Sequence, residues 1–199
     1  SSTKKDVYNS YILAFHVCPT RYTEYSNNKY GRSVRLVRDT IVPPPAPCQT
    51  FEINGVRFNM MCVEGGTFTW GEGSALQQVT VDNYMIGQTE VTQALWKVVM
   101  ETTPEDEYDS STSGDAALQV GDSLPMAYMS WNDAQMFVER LSELTGLAFR
   151  LPTEIEWVYA AKGGQRSKGY KFAGSDILQE VAWCGTNAKG EIKQVGQLR

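Results

Sequence analysis

The chain has 199 residues, of which 42% are apolar and 21% charged, the composition of a globular protein long enough to bury a sizeable core. No apolar run approaches the roughly 20 residues needed to cross a bilayer, which argues against a helical membrane span. The net charge of −5 is uneven: residues 1–38 carry seven Lys/Arg against two acids (+5), and residues 39–199 carry eleven against twenty-one (−10).

The basic residues of the first segment are spread along strand-like sequence rather than clustered, so they read as a solvated strand face and argue against nucleic-acid binding. The opening Ser1-Ser2-Thr3-Lys4-Lys5 has no apolar core and is read as a mature or trimmed terminus, not a signal peptide. Tyr11, Leu13, Phe15 and Val17 alternate as on a half-buried strand. His16, the only histidine, lies within that apolar run and is assigned to packing, which leaves no two-histidine metal site in the chain. A polar connection from Thr20 to Lys29 follows, rich in Tyr, Ser and Asn. Such composition suits adaptable binding surfaces, and Arg21, Tyr22, Tyr25 and Asn27 are the candidate ligand-binding residues. Val34-Arg35-Leu36-Val37-Arg38 reads as a second strand.

Four prolines within residues 43–47 favour extended geometry and mark a semi-rigid linker over residues 42–48. The sequence thus divides into a β-rich segment (1–41), this linker, and a second unit (49–199). The second unit opens with Asn54-Gly55 between alternating strands, a strong hairpin signal. Val63-Glu64-Gly65-Gly66-Thr67-Phe68-Thr69-Trp70-Gly71 and Val79 to Ile86 read as the next strands. The Gly-Gly pair is not a nucleotide loop, because neither a P-loop lysine nor a helix onset follows. Thr92 caps a helix over about 93–101 whose buried stripe is Leu95, Trp96, Val99 and Met100.

Residues 101–122 hold seven acids and no base, and read as a mobile acidic loop. Calcium is the one cofactor this stretch suggests, but Glu105, Asp106, Glu107 and Asp109 lack the EF-hand register and its glycine. No cofactor is predicted from it. Ser130 and Asp133 then cap a helix over about 131–145, with Ala134, Phe137, Val138, Leu141 and Leu144 on its core face and Gly146 as its stop.

The most specific stretch is Arg150-Leu151-Pro152-Thr153-Glu154-Ile155-Glu156-Trp157-Val158-Tyr159-Ala160-Ala161-Lys162-Gly163-Gly164. Physically, Thr153 and Glu156 form a capping box, Trp157, Ala160 and Ala161 sit at core spacing, and Gly163 ends the helix. As a pattern, R-L-P-T-E-x-E-W-x-Y-A-A-x-G-G resembles the signature of the formylglycine-generating, sulfatase-modifying enzyme family. The V-x-G-G opening, Glu90-Val91-Thr92-Gln93, Ser130-Trp131-Asn132-Asp133-Ala134, Tyr170-Lys171-Phe172-Ala173-Gly174, Val181-Ala182-Trp183 and Val195-Gly196 resemble further family motifs in the same order. Separately, Gly31-Arg32-Ser33-Val34-Arg35-Leu36-Val37 resembles the end of lectin-like paralogous domains of bacterial surface proteins.

The resemblance implies an α+β, C-type-lectin-like fold of the formylglycine-generating-enzyme subclass, with an N-terminal β segment. In this fold the opening strand pairs with strands near the domain's end, which is expected to be missing from this sequence, so Gly66–Trp70 is expected to expose a sheet edge that residues 11–38, a swapped neighbour or a half lost to processing would cover. The family's enzymes oxidise a sulfatase cysteine with oxygen and copper held by two cysteines near the carboxyl end, where soft thiolates suit Cu(I). Of the four cysteines, Cys18, Cys48, Cys62 and Cys184, none matches that catalytic motif and none forms a C-x-x-C pair, so neither a catalytic nor a metal site is assigned to them. In an exported protein they could form one or two disulfides, with three connectivities if all four pair. The expected function is a non-catalytic, ligand-binding or adhesive module of an exported bacterial surface protein, with a protein or glycan partner. The alternatives are a fragment of a formylglycine-generating oxidase and a structural subunit that self-associates through the exposed edge.

Overall fold

A computed structural model describes residues 37–39, 49–71, 73–108 and 118–198. Among the described residues seven strands and four α-helices follow one another in the order β1 (Val37–Asp39), β2 (Gln49–Ile53), β3 (Val56–Val63), β4 (Gly66–Trp70), β5 (Gln77–Val81), β6 (Tyr84–Gly87), α1 (Gln93–Met100), α2 (Pro104–Glu107), α3 (Trp131–Thr145), β7 (Phe149–Arg150) and α4 (Glu154–Ala161). The five-stranded antiparallel sheet has the order β2-β3-β6-β1-β7, and β4 and β5 form a separate two-stranded ribbon.

The β2–β3 hairpin turns at Asn54 (φ 48°) and Gly55 (φ 83°), the two left-handed residues that match a tight turn to strand twist. Val63 to Trp70 is not one strand, and neither is Val79 to Ile86. In both stretches the chain leaves one sheet for the other, at Glu64-Gly65 and at Asp82-Asn83, so the two crossings form one corner. The Gly65 N–H donates to Asn83 Oδ1 at 2.7 Å. A Cβ on Gly65 would overlap the Val81 carbonyl oxygen and lie 2.6 Å from the Asp82 carbonyl carbon and 2.8 Å from the Asn83 nitrogen. Close backbone approach, rather than phosphate binding, explains this glycine.

Two cores lie on opposite faces of the large sheet, and β6, buried along its whole length, serves both. Met85 faces α1 and α3, where Trp96 stacks on Phe137 at 5.1 Å among Met60, Met126, Met129 and Leu141. Tyr84 and Ile86 face the opposite way, toward Tyr159 of α4 and Val81 of the ribbon. The α1 stripe is as expected: Leu95, Trp96, Val99 and Met100 are all buried. On α3, Ala134, Phe137, Val138 and Leu141 are buried, but Leu144 is 56% exposed, because it lies in the last turn beyond the partner helix.

Further differences from the sequence expectation concern order and direction. The acidic stretch begins with a helical turn, since Thr103 caps α2 with Asp106 and Pro104 pre-sets its first position. On α4 the buried anchor is Tyr159, with Trp157 only half-buried. Of the five tryptophans Trp96 alone is fully enclosed. Val37–Asp39, which precedes the proline-rich linker in sequence, inserts between β6 and β7 rather than along Gly66–Trp70. Among the described residues no strand pairs with the outer edge of β4. No helix among the described residues is long and apolar enough to cross a membrane.

Candidate functional site

Arg150 ends β7 and Glu156 sits in the first turn of α4, and Pro152 and Thr153 turn the chain so that they face each other. Arg150 Nη1 and Nη2 donate to Glu156 Oε2 and Oε1 at 2.7 and 2.5 Å, a two-pronged clamp. The same carboxylate accepts from the Thr153 N–H at 2.8 Å and the Thr153 hydroxyl at 3.0 Å, and the Glu156 N–H donates back to Thr153 Oγ1 at 3.2 Å. This is the predicted capping box, with an arginine added that the box alone does not require. Burial pushes the Glu156 carboxyl up, but Arg150 and Thr153 outweigh it and leave the group below its ordinary range. The Tyr84 hydroxyl donates to the Glu156 carbonyl oxygen, and burial, with the Glu156 charge next in size, drives its own ionisation far above that of a free tyrosine.

One helical turn on, Tyr159 donates to the Glu64 carbonyl oxygen at 3.0 Å, and Gln165 Nε2 reaches the Gly65 carbonyl oxygen at 3.3 Å. Left-handed Gly163 (φ 90°) and Gly164 (φ 52°) reverse the chain after α4 and bring Gln165 and Arg166 back toward β4. Between these elements lies a cleft of about 180 Å³. Cys62, Val63 and Glu64 line one side, and Ala160, Gly163, Gly164, Gln165 and Arg166 the other. It presents one carboxylate, one guanidinium and one amide, groups suited to binding a polar backbone or side chain. Cys62 lines the cleft and also packs against the α1–α3 core, aligned with Met85 across the ladder. Sequence reading missed Glu64, Gln165 and Arg166. The signal was the Gly163-Gly164 pair, read only as a helix stop.

The remaining candidates are placed as follows. Arg21, Tyr22, Tyr25 and Asn27 lie outside the described residues, as do His16, Cys18 and Cys48. Among the acids weighed for calcium, Asp106 is held by the Thr103 cap and Glu107 accepts from Thr102 Oγ1 at 2.9 Å, while Asp109 lies outside the described residues. Among the described residues no group of three His, Cys, Asp or Glu side chains converges to hold a metal. Cys184 is buried in a turn organised by Asn187, whose Oδ1 accepts from the Cys184 N–H at 2.6 Å.

The Thr92-Gln93 motif has a role outside the cleft. Buried Gln93 donates to the Gln119 carbonyl at 3.1 Å and accepts from the Gly121 N–H at 2.8 Å. Gln119 in turn donates to the Gly190 carbonyl and accepts from the Ile192 N–H, which ties the stretch near residue 190 to α1.

An α+β domain with two cores, a ribbon and a clamped signature helix is the class that fold and site define. The chain belongs to the sulfatase-modifying factor enzyme 1-like domain family, whose model matches residues 50–194. It is 32% identical over 164 residues to the chaperone protein LppX of Paenibacillus barcinonensis, covering 71% of this chain and 58% of that protein. The chain therefore spans less than two thirds of that relative. It is 36% identical over 59 residues to the formylglycine-generating enzyme of Streptomyces coelicolor, covering 30% of this chain and 17% of the enzyme. Among solved structures it is similar to Treponema denticola variable protein 1, with a TM-score of 0.64 and 25% identity over 76% of this chain and 69% of the other. The fold is thus α+β of the formylglycine-generating-enzyme type.

Proposed function

We propose that this domain is a non-catalytic binding module of an exported bacterial protein, and that its ligand is an extended polypeptide. The observation that carries this reading is the cleft beside α4, where Glu64, Gln165 and Arg166 offer a carboxylate, an amide and a guanidinium to the polar groups of a polypeptide. Arg150, Thr153 and Glu156 are bonded to one another, and Tyr159 to the Glu64 carbonyl, so the polar groups of the motif frame this cleft. The similarity to a protein named a chaperone, which runs over 164 residues, supports a polypeptide ligand, and the likeness of residues 31–37 to the end of a domain of bacterial surface proteins is what supports export. The tyrosine-bearing residues Arg21, Tyr22, Tyr25 and Asn27 are proposed contributors to the ligand surface.

The test mixes the chain with an unfolded reporter protein and, in parallel, with a glycan array. Saturable binding of the unfolded reporter, with suppression of its aggregation, is the expected result. Glycan binding alone would replace the polypeptide ligand with a sugar. Failure of alanine at all four first-segment positions to change binding would remove those residues from the surface. The 59-residue similarity to a formylglycine-generating enzyme favours oxidase activity as the second reading. Conversion of a cysteine peptide to an aldehyde by the copper-loaded chain would establish it.

A further inference from the structure

The body of the domain is acidic, yet one stretch of it carries only the opposite charge. Residues 39–199 hold eleven Lys/Arg against twenty-one acids, and four of those eleven, Lys162, Arg166, Lys168 and Lys171, fall within residues 157–175, which contain no acid. The glycine pair after α4 folds this stretch into a tight turn. The Arg166 N–H donates to the Gly163 carbonyl oxygen at 2.9 Å and the Ser167 N–H to that of Gly164 at 3.2 Å, and a Cβ on Gly163 would lie 3.3 Å from Ser167 Cα. Lys162, Arg166 and Lys168 therefore stand on one turn, and all three are exposed. The same turn, from Gly163 to Arg166, is a wall of the cleft.

The acids that flank the turn in sequence are engaged elsewhere. Glu156, before it, is clamped by Arg150, and Asp176, after it, accepts from the Lys171 backbone N–H at 2.8 Å. Among the described residues no carboxylate pairs with Lys162, Arg166 or Lys168, whereas Arg57 and Lys193 each hold one. Glu64 stands across the cleft from Arg166 without pairing with it, so the cleft remains open between them. Like charges gathered on one turn repel one another, and a bound anion relieves that repulsion.

We infer that the cleft takes acidic polypeptide segments, with carboxylates of the ligand on the Lys162–Arg166–Lys168 turn. This gives the polypeptide reading above a ligand class, and it rests on that reading. Arg166 supplies the planar fork that meets a carboxylate at two points, and the two lysines add compact charges on either side of it. Glu64 and Gln165 suit the amide groups of an extended backbone, which a nucleic acid lacks, and the Glu64 charge opposes a uniform polyanion. The acidic remainder of the body repels such a ligand and confines it to this turn.

The test is fluorescence anisotropy of the full chain with two labelled, unstructured peptides of equal length, one rich in Ser and Glu and one with Gln at every Glu. The Glu peptide is expected to bind about tenfold more tightly at about 0.1 M salt, as a few exposed ion pairs allow, and to lose most of that preference at about 1 M, where charges are screened within about 3 Å. Lys162→Gln, Arg166→Gln and Lys168→Gln together should make the two peptides bind alike. The same change of charge at Arg57, Lys97 and Lys189, which lie outside the turn, should keep the preference. Equal affinity for both peptides in the unaltered chain overturns the inference and leaves the polypeptide ligand in place, as does a preference that survives the triple substitution at the turn. Binding of neither peptide overturns the polypeptide reading itself, and the inference with it. A single-stranded DNA oligonucleotide bound as tightly as the Glu peptide overturns the inference in favour of a general polyanion site.

Discussion

Replacing Arg150 by Met removes both prongs of the clamp and leaves Glu156 with its Thr153 bonds only. The two partners are 35% and 13% exposed, between the surface limit, where an ion pair contributes about 0–1 kcal/mol, and the buried limit, where losing one partner costs about 3–5 kcal/mol. We therefore expect a loss of about 2 kcal/mol at pH 7 by urea denaturation. Glu156→Gln keeps a side chain suited to the capping box, and the cycle built from the two single variants and the double should show a coupling of about 1–2 kcal/mol. The pH dependence has a definite sign. The Glu156 carboxyl ionises below its ordinary 4.5 in the folded protein. Its stabilisation is full above that unfolded value and is lost as pH falls through the lower, folded one. In Arg150→Met the chief lowering partner is gone and the carboxyl is lowered less than in wild type, so the gap between wild type and variant narrows on acidification from pH 6 to 3. A coupling below about 0.5 kcal/mol, or a gap that does not change with pH, would refute the claim that the signature clamps the fold.

Other substitutions probe the remaining parts of the frame. Gly65→Ala should cost at least about 2 kcal/mol in denaturant midpoint analysis, because the obstructing atoms are backbone; Gly185→Ala, with nothing within 4 Å, should be near neutral. Gln93→Leu should cost about 1–3 kcal/mol and speed amide exchange at Gly121, whose N–H loses its acceptor. Phe137→Ala should cost about 3–5 kcal/mol by the same measurement, whereas Leu144→Ser should stay within about 0.5 kcal/mol.

Much of the frame was legible because local chemistry fixed it. Thr92, Ser130 and Thr153 cap the helices they were expected to cap, and Asn54-Gly55 turns the hairpin. What local pattern could not reveal was which sheet a strand joins. The apolar phase of Val79 and Val81 slips by one residue at Asp82-Asn83 to Tyr84 and Ile86; the slip marks a break in the strand, but nothing local names the sheet that each half joins. Leu144 fits the helical stripe, but exposure depends on where the partner helix ends. Tyr159 was overlooked beside Trp157, because size and hydrophobicity do not reveal that a hydroxyl will find the Glu64 carbonyl across the corner. Glu64, Gln165 and Arg166 come together only through two left-handed glycines, a geometry with no periodic signature. Insertion of β1 depends on pairing across more than a hundred residues, from Arg38 to Phe149, which composition does not encode.

In the function proposed above, the formylglycine-generating-enzyme fold serves as a binding scaffold. Native mass spectrometry of the full chain, loaded with Cu(I) and mixed with an unfolded cysteine-containing sulfatase-type peptide, tests it most directly. A chain–peptide complex from which the peptide is recovered with its thiol intact is expected. Recovery of the peptide with an aldehyde in place of that thiol, accumulating with time and oxygen, would contradict it.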